Sequence, residues 1–351
     1  MIAVKASHSQ FVTKIVELMP TEALLLQDFS GNTALHYAAV AGTMQDAQTM
    51  VRKNPALTQI TNDAGETPLL LAASFAANSK DMVWYLSLVT KDEPPSYPFT
   101  GLLACRLISF ITGAGFCDIS LNLVRRYPNL ATAVESGRNV LSSLASKPSD
   151  FLSEYKLGYL ESFIYPFVSV DLTCQPPHSV RRYVEDLHGK SGDLAAEAKT
   201  QSIIHYVYQV LPIIKQVREK KMELKCAVEL VKLVCSHGNS SMNCYQIIQF
   251  FGAQCLRLAM RVGAVDIVKL CLQHFPILVT VPLTADRNIL QAAVEVRQER
   301  IYNIILGMGV STRLLASALT RTTGENILHL VARLPPSTRL SFVSGPALLL
   351  N

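Results

Sequence analysis

Charge is scarce in this chain of 351 residues. Asp, Glu, Lys and Arg make up 17% of it and aromatic residues 7%, against 49% hydrophobic residues. Such apolar content excludes a disordered chain, which combines low hydrophobicity with high net charge. It suits helices stacked in two layers, each covered by its neighbours. Net charge is only +5. The densest basic run, Lys215 to Lys225, is broken by Glu219 and Glu223. Nucleic-acid binding needs a clustered basic face, so the run reads as one solvated helix face, and no nucleic acid is expected as a partner.

Long uncharged apolar runs are missing as well. A membrane-crossing helix needs roughly 18 or more such residues. The nearest candidate, Leu102 to Val124, contains Arg106 and Asp118. No direct membrane span is expected in this chain. The first 18 residues carry Lys5, His8, Lys14 and Glu17, so they are no signal-peptide core. The eight cysteines form no CxxC pair and no zinc-finger spacing with histidine. Most sit in apolar helical contexts, where a thiol packs as a small hydrophobe. A reducing, intracellular compartment follows, cytoplasmic for the chain as it stands. No GxSxG, HExxH or HxE…PCxxC pattern is present. Gly113-Ala114-Gly115 has no third glycine and no preceding strand, so it reads as a turn between helices. No catalytic residue, metal ligand or cofactor is assigned, and the chain is read as not an enzyme.

What the chain does have is repetition. Gly31-Asn32-Thr33-Ala34-Leu35-His36-Tyr37-Ala38-Ala39 returns as Gly65-Glu66-Thr67-Pro68-Leu69-Leu70-Leu71-Ala72-Ala73, 34 residues later (65 − 31). Degraded copies begin at Gly137, Asn288 and Gly324. A second echo runs through Asn54-Pro55-Ala56-Leu57, Tyr127-Pro128-Asn129-Leu130 and Phe275-Pro276-Ile277-Leu278. In each, the proline is expected to stop a helix and the leucine to pack beneath the loop. A period of about 33 with a Thr-Pro-Leu-His-like core resembles ankyrin repeats. Asp28 opens the turn, Gly31 supplies a left-handed position, Thr33 caps the first helix, and Met44–Arg52 forms the second. Further helices are expected at 10–18, 81–89, 100–112, 117–126, 194–237 (with a break at Pro212), 255–260, 265–274 and 298–307. Gly238 to Met242 is expected to turn.

The fold class is therefore all-α: an ankyrin-repeat solenoid of stacked helix-turn-helix units, in two blocks separated by a long insertion. Residues 1–146 form the first block. Residues 147–193, with Pro148, Pro166, Pro176 and Pro177, form a partly disordered insertion. Residues 194–351 hold a helical segment and the second block. His36 and His329 fall at the motif histidine and are read as braces between turn and helix rather than ligands. Leu70, Ser142 and Gln291 replace that histidine in other copies.

A solenoid offers surface rather than a pocket. The expected protein-binding surface comprises the turn tips and the open side of the first helices: Phe29, Ser30, Asn32, Val40, Asp63, Glu66 and Phe75, with Ala64 beside them. Exposed aromatics suit a protein-binding groove; the alternative is that Phe29 tucks into the neighbouring repeat. Other proteins are the expected partners, and the expected role is a non-enzymatic interaction scaffold.

The chain also resembles the plant ankyrin-repeat proteins that end in a membrane domain with a Pro-Gly-Gly motif. The resemblance rests on Gly31 to His36, on Tyr127-Pro128-Asn129-Leu130-Ala131-Thr132, on Asn288 to Ala293, and on Gly324 to Ala332. It implies a role in stress or defence signalling. It also implies the alternative that this is the ankyrin portion of a membrane-anchored protein, placed at the plasma or another membrane in its full-length form. The Pro-Gly-Gly motif and the apolar spans are absent here, and both ends fall inside a repeat. The expectation is a truncated product, an isoform or a fragment.

Overall fold

The structure, a computed structural model, describes residues 9–75, 79–147, 151, 158–170, 172, 174–187, 212–284, 287–309, 312–320 and 322–333. Every regular element in them is helical. The sole β contact among the described residues is an isolated antiparallel bridge from Glu135 to Arg138 across a turn. The described residues of 1–143 and 157–230 pack as one compact unit, and those of 144–156 and 231–351 as a second.

The first unit opens with α1 (Ser9–Leu18). Three helix pairs follow: α2 (Ala34–Ala41) with α3 (Met44–Lys53), α4 (Pro68–Ser74) with α5 (Lys80–Val89), and α6 (Ala104–Gly113) with α7 (Cys117–Arg126). The first helices of the pairs, α2, α4 and α6, stack on one another, and α1 packs on α3 in the outer layer. Small residues let the stacked helices approach: Ala38, Ala39, Ala72 and Ala73 are all buried between them. Leu35 and Leu69, at the same repeat position, are wholly buried. The outer helices are joined at their ends by basic residues. Lys53 Nζ donates to Glu17 O at 2.8 Å, and Arg126 Nη1 donates to Ser87 O at 3.1 Å. A helix leaves its last carbonyls without internal partners, and a cation there also opposes the negative end of the macrodipole.

The proline echoes behave as their sequence implies. Pro55–Gln59, Pro128–Ala131 and Pro276–Val279 are 3₁₀ turns that end the preceding helices. Leu57, Leu130 and Leu278 lie buried beneath them. Asn54 and Asn129 add a bond to the preceding repeat: Asn54 Nδ2 donates to Thr21 O at 3.2 Å, and Asn129 Nδ2 to Phe99 O at 2.8 Å.

Asn139 heads α8 (Val140–Ala145). Within residues 147–193 the chain forms α9 (Tyr159–Ile164) and α10 (His178–Leu187); 148–150, 152–157, 171, 173 and 188–193 lie outside the described residues. The α10 helix packs on α5 and α3, with Val180 wholly buried. Ser179 Oγ donates to Asp81 Oδ2 at 3.2 Å. Residues 194–211, expected to be helical, lie outside the described residues. The described residues resume in α11 (Pro212–Ser241).

The turn expected at Gly238 to Met242 does not form. The α11 helix runs through Gly238, and Met242 N still donates to Gly238 O at 3.0 Å. Gly238 is a packing contact instead: a Cβ there would meet the buried Phe251 ring at 2.7 Å. A glycine that admits a ring and a glycine that turns the chain look alike in sequence.

Helical structure in the second unit also starts earlier than expected. It runs through α12 (Cys244–Ile247), a π-helix (Ile248–Leu256) and α13 (Arg257–Val262), rather than beginning at Cys255. Asn243 starts it with a capping box to Gln246. Then come α14 (Val265–His274), α15 (Ile289–Glu295), α16 (Glu299–Gly307), an unforeseen α17 (Thr312–Ser317), and α18 (Ile327–Ala332). Pro335 and Pro336, a proline pair that would stop a helix, lie outside the described residues. Phe251 centres the core here, 4.8 Å from the Phe250 ring and 4.4 Å from that of Phe275.

Gly238→Ala should therefore destabilise the protein by about 1–3 kcal/mol, as overpacking does. A helical glycine with open space around it would instead gain from the better helix propensity of alanine. Urea unfolding monitored by circular dichroism distinguishes the two signs.

Candidate protein-interaction surface

The turns of the second and third repeats are built alike. Asp28 Oδ1 accepts from Ser30 N and Asn32 N, each at 2.9 Å, and Gly31 N donates to Asp28 O at 2.9 Å. Asn62 Oδ1 accepts from Ala64 N at 3.1 Å and Glu66 N at 2.9 Å, and Gly65 N donates to Asn62 O at 2.8 Å. A short polar side chain thus closes each turn on its own backbone. Gly31 has φ +74°, and an added Cβ would meet Asp63 N at 2.5 Å, so both conformation and space demand glycine. The turns are laddered to each other. Asp63 N donates to Ser30 O at 3.2 Å, and Asn62 Nδ2 donates to Asn32 Oδ1 at 3.2 Å. Gln27 Nε2 spans both turns, reaching Gly31 O at 2.7 Å and Thr61 O at 2.8 Å.

His36 braces this ladder from inside. Its Nδ1 accepts from Thr33 N at 3.0 Å, the start of α2, so Nε2 carries the proton and donates to Glu66 O of the next turn at 3.1 Å. Both ring nitrogens are committed, which removes His36 as a metal ligand or proton shuttle. Gln291 does the same work in the second unit: its Oε1 accepts from Asn288 N at 3.0 Å and its Nε2 donates to Ala318 O at 2.7 Å. The brace is thus rebuilt from an amide there rather than dropped. Ser142 keeps only the local half, accepting from Asn139 N at 2.9 Å and donating back to Asn139 O at 2.8 Å. Leu70 has no polar atom to offer, and α4 is capped from one side by Thr67 Oγ1 accepting from Leu70 N at 3.3 Å.

The residues expected to form the surface divide in two. Phe29, Ser30 and Asp63 stand exposed at the tips, and Phe29, at 108% of its reference area, projects into solvent instead of tucking into the neighbouring repeat. Ala64 is exposed beside them, and Phe75, at 51%, lies at the end of α4. Asn32, Val40 and Glu66 are half-buried. Asn32 is spent on Asn62, and the Glu66 carboxylate takes Arg106 Nη2 at 3.1 Å. Arg106 in turn lies over the Phe110 ring at 5.8 Å. Sequence gave no sign of the Glu66–Arg106 pair, because its members are 40 residues apart.

Other polar candidates are structural. Asp118 Oδ2 takes Lys80 Nζ at 2.9 Å and the Trp84 indole N–H at 3.4 Å. Burial alone would lower the Lys80 ammonium, but Asp118 outweighs it and holds the group above its ordinary value. His205 lies outside the described residues. Among the described residues, no group of three or more His, Cys, Asp or Glu is placed to hold a metal ion, and no helix is long and apolar enough to cross a membrane. An open apolar groove of about 470 Å³ in the second unit, lined by Val294, Tyr302, Leu328 and Val331, was not foreseen.

Burial pushes the His36 imidazole below its ordinary value of 6.5, against the opposing pull of the Glu66 carbonyl and the Asp28 and Glu66 carboxylates. Between the lowered folded value and 6.5 the unfolded chain binds the extra proton and the folded chain does not. The stabilisation is therefore complete above about pH 6.5 and is lost as pH falls toward the folded value. His36→Gln, copying Gln291, should keep the brace and flatten this part of the pH profile. Thermal denaturation of both proteins across pH 4.5–8 (roughly the span of histidine titration) measures the difference.

Residues 1–93 match the family described as Ankyrin repeats, in three copies. No curated protein matches the chain. Ankyrin repeats mediate protein–protein interaction and are typically non-catalytic, and the matched residues contain the whole turn ladder from Gln27 to Thr67. Residues 1–93 of this all-α chain are ankyrin repeats.

Proposed function

We propose that this chain is an interaction scaffold that binds another protein through the turn tips and inner-helix edge of its N-terminal repeats. The observation that carries the reading is Phe29. A phenylalanine fully open to water, on a turn pinned by hydrogen bonds from both its own repeat and the next, has no stabilising role within the repeats. Large exposed apolar groups on rigid supports are what protein interfaces use as anchors, and a rigid support reduces the ordering cost of binding. Ser30, Asp63 and Ala64 surround that anchor, and Phe75 extends the surface along the open side of α4. Asn32 and Glu66 act beneath it, Asn32 through Asn62 and Glu66 through His36 and Arg106, while half-buried Val40 lies at the far end of α2.

The finer setting rests on the family resemblance: signalling in stress or defence, in a plant cell, by a soluble form or by the ankyrin portion of a membrane-anchored protein. The partner is a protein with an apolar contact surface.

The test is a pull-down with the full chain, comparing wild type with Phe29→Ala and Phe75→Ala. Phe29→Ala should leave the melting temperature unchanged, because the ring is wholly exposed, whereas Phe75→Ala, at a half-covered ring, should lower it slightly. Each should weaken a bound partner by about tenfold, the loss of one anchor residue. Partners retained at wild-type strength by both variants would remove this surface from consideration.

A further inference from the structure

Cys174 and Cys226 are 52 residues apart in sequence, yet their sulfurs lie 3.6 Å apart, and neither is in a disulfide. Cys226 is on α11 and wholly buried; Cys174 is 3% exposed. Cys174 precedes α10 by four residues (178 − 174) and belongs to no helix. Two bonds from α7 hold it: Asn122 Nδ2 donates to Cys174 O at 3.3 Å, and Arg125 Nη1 donates to Leu172 O at 3.0 Å. Its φ of +47° is left-handed, a conformation unusual for a residue with a side chain. Beyond it, α10 lies across the outer helices α3 and α5. The sulfur contact therefore sits at the root of the helix that covers the outer layer.

The two thiols are not equivalent. The Cys226 S–H bond and the nearby Arg125 guanidinium lower the Cys174 thiol, against the opposing effect of burial. Contact with Cys174, and then burial, push the Cys226 thiol up. The Arg125 guanidinium, whose Nη1 reaches Leu172 O beside it, favours a thiolate at Cys174, the sulfur that lies off the helix.

We propose that Cys174 and Cys226 are an oxidisable dithiol, closed by hydrogen peroxide into a disulfide that clasps the root of α10 to α11. The Cys174 thiolate attacks one peroxide oxygen and breaks the O–O bond, forming a sulfenic acid. The other oxygen leaves as hydroxide and takes the proton that Cys174 released, giving water. The Cys226 sulfur then attacks the Cys174 sulfur, and its proton goes to the departing hydroxide. Two thiols and one peroxide become one disulfide and two waters; the sulfurs lose two electrons and the peroxide gains them. An S–S bond is about 2.05 Å, so the sulfurs must close by roughly 1.6 Å. The non-helical Cys174 side supplies that movement, since Cys226 is fixed in a helix.

The full chain, exposed to hydrogen peroxide, is alkylated, digested without reductant and mapped by mass spectrometry. Two of the eight cysteines should escape alkylation, and one dithiothreitol-sensitive peptide should join Cys174 to Cys226. Backbone amide exchange in α10 should slow, and the melting temperature should rise by about 5 °C or more, as closure of a loop of this length implies. In Cys226→Ser, peroxide should leave a dimedone-reactive sulfenic acid on Cys174. Cys235, pushed up by its contact with Cys271 and by burial, should stay reduced. Peroxide treatment that leaves both residues alkylatable, or joins them to other cysteines, overturns the proposal, and this wild-type map decides even if the variant fails to fold. A disulfide that leaves α10 exchange unchanged overturns the clasp.

Discussion

The N-terminal repeats depend on one exchange: polar groups left open by one turn are satisfied by the next repeat. The amide of Asp63 finds Ser30 O, Glu66 O finds the ring of His36, Thr61 O finds Gln27, and Thr21 O finds Asn54. A buried polar group without such a partner would cost on the order of 1–3 kcal/mol. No single repeat can meet its own demand, so each is stable only beside its neighbour. The second unit solves the same problem at Asn288 and Gln291, with an amide in place of an imidazole. The difference between the two solutions is a proton: the imidazole makes the brace pH-sensitive and the amide does not.

The same exchange fixes the tips. Their backbones are fixed from two sides, so side chains such as Phe29 project from a rigid frame without having to be ordered by a partner. The outer layer is different. There α10 lies across α3 and α5, and its root is held by Asn122, Arg125 and the Cys174–Cys226 contact. The repeats thus present an open turn side and a covered outer side, each held by its own set of bonds.

Much of this was legible in the chain. The 34-residue offset, the Thr and Asn caps, the left-handed glycines and the proline stops are local chemistry. They act within a few residues, so a linear reading finds them, and it placed α2, α3, α5, α7 and α14 nearly to the residue. His36 as a brace was legible too, although its distant acceptor, Glu66 O, was not. The candidate surface was legible as a set of positions but not as a division of labour. Nothing near Asn32 or Glu66 in sequence says that one is spent on Asn62 and the other on Arg106.

By itself, then, the sequence determined the repeat unit, because caps, turns and helix stops depend on neighbours along the chain. Tertiary structure alone decided what each repeated position meets. It turned Gly238 from a turn into a contact for Phe251, set α10 on the outer helices, left Phe29 in solvent, and brought two cysteines 52 residues apart to within 3.6 Å. The physical reason is the same in each case: burial, ion pairing and thiol contact depend on distance in space, which the order of residues does not record.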